Sequence, residues 1–263
     1  MGQRKEYVMK IGLCESRVAE IKQAYELGFD FVEVSNWAVY TMDEERYANT
    51  VKLTEELPAN FMYACNGLVP PDFRLTGPDV NFEEIREFAE KSFAKLAKLG
   101  VKMLVFGSSK AKIVPEGFDF DEAMAQLVKV TQIFAEAAAK NGQKVCIEPL
   151  RTEECNIINT VEDSVNLAKA TGCANVGGHV DYYHLMQNGE KVSKLEELAK
   201  DLIHTHIASP CKRIIPTPDD GADYKQFFDY LRKGGYDATV SFEGGGNKTP
   251  KALKALCEYL KSL

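Results

Sequence analysis

Little in the sequence ties it to a membrane, to nucleic acid or to an oxidising compartment. No apolar run approaches the ~20 residues that cross a bilayer, so no transmembrane helix is expected. Met1-Gly2-Gln3-Arg4-Lys5-Glu6 has no apolar stretch behind its charges, which argues against a secretory leader. Glu6 stands where a myristoylation signal carries Ser or Thr. The seven cysteines are dispersed with no C-x-x-C pair, the pattern of reduced thiols in a cytoplasmic protein. A basic excess is also missing. Lys and Arg number 32 against 39 Asp and Glu, for a net charge of −7, which argues against a general nucleic-acid binder. There is no low-complexity tract, no internal repeat and no linker of the kind that separates domains.

What is present is regular alternation. Short apolar runs suited to buried strands fall at 7–13, 29–34, 60–64, 102–106, 144–148, 175–180, 202–207 and 238–242. Between and after them, helical periodicity covers 16–27, 42–57, 82–99, 121–140, 160–170, 192–200, 224–233 and 251–263. Several of these helices stop at glycine, and Thr160-x-x-Asp163 resembles a capping box. Eight strand-then-helix units in 263 residues predict an α/β fold, a single (β/α)8 TIM barrel over residues 1–263. A doubly wound open sheet is the alternative, but no G-x-G-x-x-G follows an early strand.

In such a barrel the chemistry sits at the C-terminal ends of the strands. Val145-Cys146-Ile147-Glu148-Pro149 runs a buried strand directly into a carboxylate, and Pro149 ends the ladder. The next three strand ends carry Asp181, His206 and Glu243 at the same edge. All four histidines fall in or just after strands six and seven. Glu148, Asp181, His206 and Glu243 form an oxygen-rich set with one nitrogen. It suits Mn²⁺, with Mg²⁺ or Co²⁺ as alternatives, better than structural zinc. His204 shares a strand face with His206 and lies one layer deeper, as a supporting or a core residue. His179, in phase with Asp181, is expected to face the interior without ligating. His184 is placed to return over the barrel mouth and bond a substrate hydroxyl. Trp37 is the aromatic best placed to wall a sugar, whereas Phe106 reads as packing. Glu33 bonds either substrate or a neighbouring cation.

The run Ile147-Glu148-Pro149-Leu150, with Glu154, Asn159-Thr160, Asp181-x-x-His184, His204-x-His206 and Phe242-Glu243, resembles the xylose-isomerase-like barrels. Within them it is similar to the sugar isomerases and epimerases that include the ketose 3-epimerases (the tagatose and psicose epimerases). The loops Phe106-Gly107-Ser108-Ser109 and Val114-Pro115-Glu116-Gly117 extend the resemblance. It implies one divalent metal on Glu148, Asp181, His206 and Glu243, with Glu148 and Glu243 as the acid/base pair. It also implies substrate contact through Glu154 and a homodimer or homotetramer. Two departures stand out. Where the family has an arginine six residues past the metal histidine, this chain has Lys212, with Arg213 next, so either could contact substrate. Where epimerases usually have proline after the last glutamate, this chain has Gly244-Gly245-Gly246.

The function expected is epimerisation or isomerisation of a ketose or related small sugar, by proton abstraction next to a carbonyl through a metal-stabilised enediolate. Dehydration or C-glycoside cleavage by the same groups is the alternative. An apurinic-endonuclease-like activity would call for histidines at the ends of strands three and four, which carry Cys65-Asn66-Gly67 and Gly107-Ser108-Ser109. A non-catalytic sugar-binding subunit is a further, less favoured class.

Overall fold

The computed structural model describes residues 9–263. Tyr7 and Val8, expected in the first strand, and the stretch Met1–Glu6 lie outside the described residues. Eight parallel strands close on themselves in chain order. They are β1 Lys10–Cys14, β2 Phe31–Ser35, β3 Met62–Asn66, β4 Met103–Phe106, β5 Lys144–Ile147, β6 Val176–Asp181, β7 Leu202–Ile207 and β8 Thr239–Phe242. β8 pairs back onto β1. Among the described residues ten helices connect and follow them: α1 Val18–Glu26, α2 Asn36–Tyr40, α3 Glu44–Glu56, α4 Phe82–Lys98, α5 Phe120–Ala139, α6 Val161–Thr171, α7 Tyr182–Gln187, α8 Leu195–Leu198, α9 Tyr224–Lys233 and α10 Pro250–Ser262. The closed sheet is the expected (β/α)8 barrel. None of the described helices is long and apolar enough to cross a membrane.

Side-chain alternation along the strands builds two cores. In β4, Met103 and Val105 join Phe31, Ala64 and Cys146 in a small inner cluster. Leu104 and Phe106 join the large outer layer with Ile85, Phe93 and Leu96 of α4 and Leu127, Val130 and Phe134 of α5. Phe106 sets its ring edge-on to Phe134, so it is a packing residue. β7 carries a bulge, with Gly178 opposite Leu202 but His179 already opposite His204. The extra residue, Ile203, packs on the inner cluster. The bulge thus brings His204 and His206 inward in phase with His179 and Asp181.

Three differences from the sequence expectation have physical causes. β3 begins two residues later than expected, because Asn60 takes a left-handed backbone (φ 59°) that a strand does not accommodate. Asn66 rather than Ala64 therefore ends the strand. α2 and α7 are too short for a 3.6-residue period to reveal them, and each is started by a side-chain cap, Ser35 and Asp181. The stretch expected as one helix at 192–200 divides into a 3₁₀ turn, α8 and a second 3₁₀ turn. Such tight pieces are usual in short connectors.

The capping box of α6 forms as expected. Thr160 accepts from the Asp163 backbone N–H, and the Asp163 carboxylate accepts from the Thr160 N–H. From α6, Ser164 donates to the Ile147 carbonyl and accepts from the His179 N–H, tying β5 to β6 below the barrel mouth. Replacing Thr160 with Ala should destabilise the protein by about 1 kcal/mol. Urea denaturation would show this as a lower midpoint at unchanged slope.

Candidate active site

The carboxyl ends of four strands supply the central groups at the barrel mouth. Glu148 follows β5, Asp181 ends β6, His206 is the second-last residue of β7, and Glu243 follows β8. One donor atom from each of these four lies within 4.8 Å of the others. His206 points Nδ1 between the two glutamates, 3.3 Å from Glu148 Oε1 and 3.2 Å from Glu243 Oε2. Asp181 uses Oδ1 to accept from the Tyr183 N–H at the start of α7, which turns Oδ2 toward the cluster. Glu148, Asp181 and His206 are buried, and Glu243 is partly so.

Arg213 is the cation of this cluster. Its guanidinium donates to Glu243 Oε2 at 2.5 Å and to Asp181 Oδ2 at 3.2 Å, and lies over the Tyr183 ring. Lys212 and Arg213 both take left-handed backbone, φ 68° and 51°. That tight turn swings the Arg213 side chain over the mouth and leaves Lys212 exposed. Gly245 N–H holds the Arg213 carbonyl at 2.8 Å, and a Cβ on Gly244 would lie 2.7 Å from the same oxygen. The glycines after Glu243 and the displaced arginine are therefore one structural solution rather than two departures.

The electrostatics follow from burial. Burial, set against Arg213, pushes Asp181 up to about 7. Burial also raises Glu148. It would raise Glu243 too, but His206 and then Arg213 outweigh it and hold Glu243 down to about 2. His206, which burial alone would lower, is raised well above the usual range by Glu33 and Glu243. Asp181 and Glu148 are thus buried carboxylates that Arg213 does not fully offset, whereas Glu243 takes most of the nearby positive charge. The carboxylates that meet here outnumber the guanidinium, so the site favours a further cation. The donor set, three carboxylates and one imidazole, fits a hard or borderline cation such as Mn²⁺, Mg²⁺ or Co²⁺.

Around the quartet lie groups that the sequence pattern singled out and others that it did not. His184 is buried. Its Nδ1 accepts from the Arg151 N–H at 3.2 Å, which leaves Nε2 carrying the hydrogen. That Nε2 has no hydrogen-bond partner; Asp181 Oδ2 is 3.6 Å away. Glu154 is paired with Arg151 at 2.6 Å. Trp37, at the start of α2, is 43% exposed and stacks on Tyr40. It lines a surface hollow of about 280 Å³ with Pro70 and Phe73, and no hydrogen bond or ring contact joins it to the quartet. His179 is fully buried with both ring nitrogens unpartnered.

Asn66 donates to Glu243 Oε1 at 2.8 Å; the sequence reading named it at the end of strand three but gave it no role. Lys112, fully buried, donates to the Glu148 carbonyl at 3.0 Å and lies over the Phe106 ring. Nothing in the local pattern marks that lysine as buried.

The chain belongs to the xylose isomerase-like TIM barrel family. The family described in those words matches residues 21–263. A ketose 3-epimerase of Arthrobacter globiformis is 28% identical over 110 residues, 41% of this chain and 37% of that protein. A 2-oxo-tetronate isomerase of Cupriavidus necator is 28% identical over 137 residues, 51% of this chain and 52% of that one. The chain thus aligns with about a third to a half of these curated relatives' length. Among solved structures, D-allulose 3-epimerase from Methylomonas sp. superposes with a TM-score of 0.83 at 20% identity, over 97% of this chain and 98% of that one.

A Cβ on Gly107 would lie 2.1 Å from Glu148 Oε2, so Gly107→Ala must displace that carboxylate. Divalent-ion affinity, measured by calorimetry, should fall at least about tenfold while circular dichroism stays unchanged. Burial, with Arg213, pushes His184 down to about 3 from its ordinary 6.5. The unfolded chain therefore binds a proton that the folded chain refuses between those values. Stability from this group is full above about pH 6.5 and is lost as pH falls toward 3. His184→Gln should reduce that loss by on the order of 1.4 kcal/mol per pH unit, read from denaturation midpoints across the window.

Proposed function

We propose that this protein is a divalent-metal-dependent epimerase or isomerase of a ketose or related small sugar, acting by proton transfer at the carbon beside the carbonyl. The observation that carries the proposal is the opposed pair Glu148 and Glu243, which face one point from either side of His206 Nδ1. Glu148, Asp181, His206 and Glu243 would hold the ion. Bound there, a divalent cation would stabilise the negative charge that develops on the substrate oxygens as the enediolate forms.

The two glutamates are not equivalent. Glu243 accepts from Asn66 and Arg213, which favours its ionised form, so it is set to take a proton. Glu148 stands on the other side of His206 Nδ1, so it is assigned the return of a proton from the opposite side. Delivery to the opposite face of the carbon inverts it; delivery to the neighbouring carbon isomerises the sugar. We assign hydroxyl contacts to His184, whose Nε2–H is buried without a partner, and to Arg213 and Glu154. Lys212, exposed on the same turn, leaves that role to Arg213. Trp37 would meet only a substrate long enough to reach the hollow beside Phe73. The ketose 3-epimerase and 2-oxo-tetronate isomerase likenesses support this class of chemistry. Mn²⁺ is the proposed ion, on the oxygen-rich donor set.

The test uses protein stripped with chelator, reloaded with Mn²⁺, Mg²⁺ or Co²⁺, and incubated with hexoses, pentoses and glycosides in D₂O. The expected result is metal-dependent deuterium uptake beside the carbonyl. Glu148→Gln and Glu243→Gln should each cut it by about 10²-fold or more. Product analysis separates epimer, isomer and elimination product. A wild-type protein that binds no divalent ion, together with undiminished turnover in Glu148→Gln, would sink the proposal.

A further inference from the structure

Below the quartet lies a carboxylate that touches none of its oxygens. Glu33 projects from β2 and is fully buried. Both of its oxygens lie 3.0 Å from His206 Nε2, and Oε2 lies 2.9 Å from His204 Nε2. An ionised carboxylate only accepts, so both Nε2 atoms must donate to it. His204 Nδ1 is then left to accept from the Thr239 hydroxyl at 2.7 Å. The result is a directed chain from β8 through β7 to β2: Thr239 to His204 to Glu33, with His206 donating from above.

We propose that Glu33 is a positioning residue that holds His206 as the Nε2–H tautomer and so presents Nδ1 to the cation site. This inference rests on the metal-binding reading of the quartet. The geometry leaves little else for Glu33 to do. It is fully buried, and both its oxygens are engaged by the two imidazoles. Without it, the His206 ring would be free to rotate about its side-chain bonds or to exchange tautomers, and the one nitrogen donor of the site would lose its aim. His204 supports the same end from below. By binding Oε2 and being bound in turn by Thr239, it fixes the Glu33 carboxylate plane. Carboxylate-to-histidine support of this kind typically changes metal affinity by about 10- to 100-fold when removed.

Glu33→Gln tests the idea closely, because it keeps the shape but sets an NH₂ group against one of the two imidazole N–H donors. The expected result is a Mn²⁺ dissociation constant raised about 10- to 100-fold, with an altered ¹⁴N imidazole coupling in the electron spin echo spectrum of bound Mn²⁺ and an unchanged circular dichroism spectrum. A folded Glu33→Gln protein with wild-type affinity and wild-type ¹⁴N coupling overturns the inference. If that variant does not fold, long-range ¹H–¹⁵N spectra of the Mg²⁺-loaded wild-type protein decide. Protonated Nε2 with bare Nδ1 on His206 supports the role of Glu33, and protonated Nδ1 overturns it. A wild-type protein that takes up neither Mn²⁺ nor Mg²⁺ removes the functional reading as well. Normal uptake that is indifferent to Glu33→Gln removes this inference alone.

Discussion

Three carboxylates, Glu148, Asp181 and Glu243, converge on one point at the mouth of a barrel whose walls are apolar. In a medium of low effective dielectric their repulsion is strong and their desolvation unfavourable, so the surroundings must offset both. Much of the local architecture follows. Arg213 is carried over the mouth by two consecutive left-handed residues. Asn66 donates from the end of β3, and Asp181 spends one oxygen on the start of α7. His206 presents a nitrogen between the glutamates, raised in proton affinity by the charge around it. Even so, the guanidinium alone does not balance the charge, and the remaining deficit is what a divalent ion would fill.

The site is layered. At the top, Arg213, His184 and Glu154 border the mouth, with a buried imidazole N–H on His184 that has no protein acceptor. In the middle sit the four candidate ligands. Below them Glu33 and His204 form a hydrogen-bonded support, and beneath that the inner apolar cluster of Phe31, Ala64, Met103, Val105 and Cys146 closes the barrel. Each layer limits the motion of the one above. Precision of this kind is what proton transfer between two opposed carboxylates needs, because a misplacement of about 1 Å can cost about 10²-fold in rate.

Much of this was legible in the sequence. Strand-end carboxylates recur at one edge because parallel strands in a barrel all present their carboxyl ends to the same face, and period two tells which side chains point inward. That logic marked Glu148, Asp181, His206 and Glu243, placed His204 one layer deeper, and read the barrel from the alternation alone. It set the bounds of β3 too early, since the left-handed Asn60 leaves no trace in a hydrophobicity pattern, and it named Asn66 at that strand end without a role. It left Glu33 between a substrate role and a cation, where the structure gives it two imidazole partners.

By itself, then, the sequence determined the eight-fold alternation, the edge on which chemistry gathers and the residue types gathered there. These are consequences of local periodicity and of strand polarity. Only the tertiary structure decided which groups meet: that Arg213 and not Lys212 reaches Glu243, that Gly107 and Gly244 clear space for a carboxylate and a carbonyl, and that Glu33 orients His206. Those contacts join residues 30 to 173 positions apart. They depend on backbone turns and on packing distances of tenths of an ångström, which no one-dimensional pattern encodes.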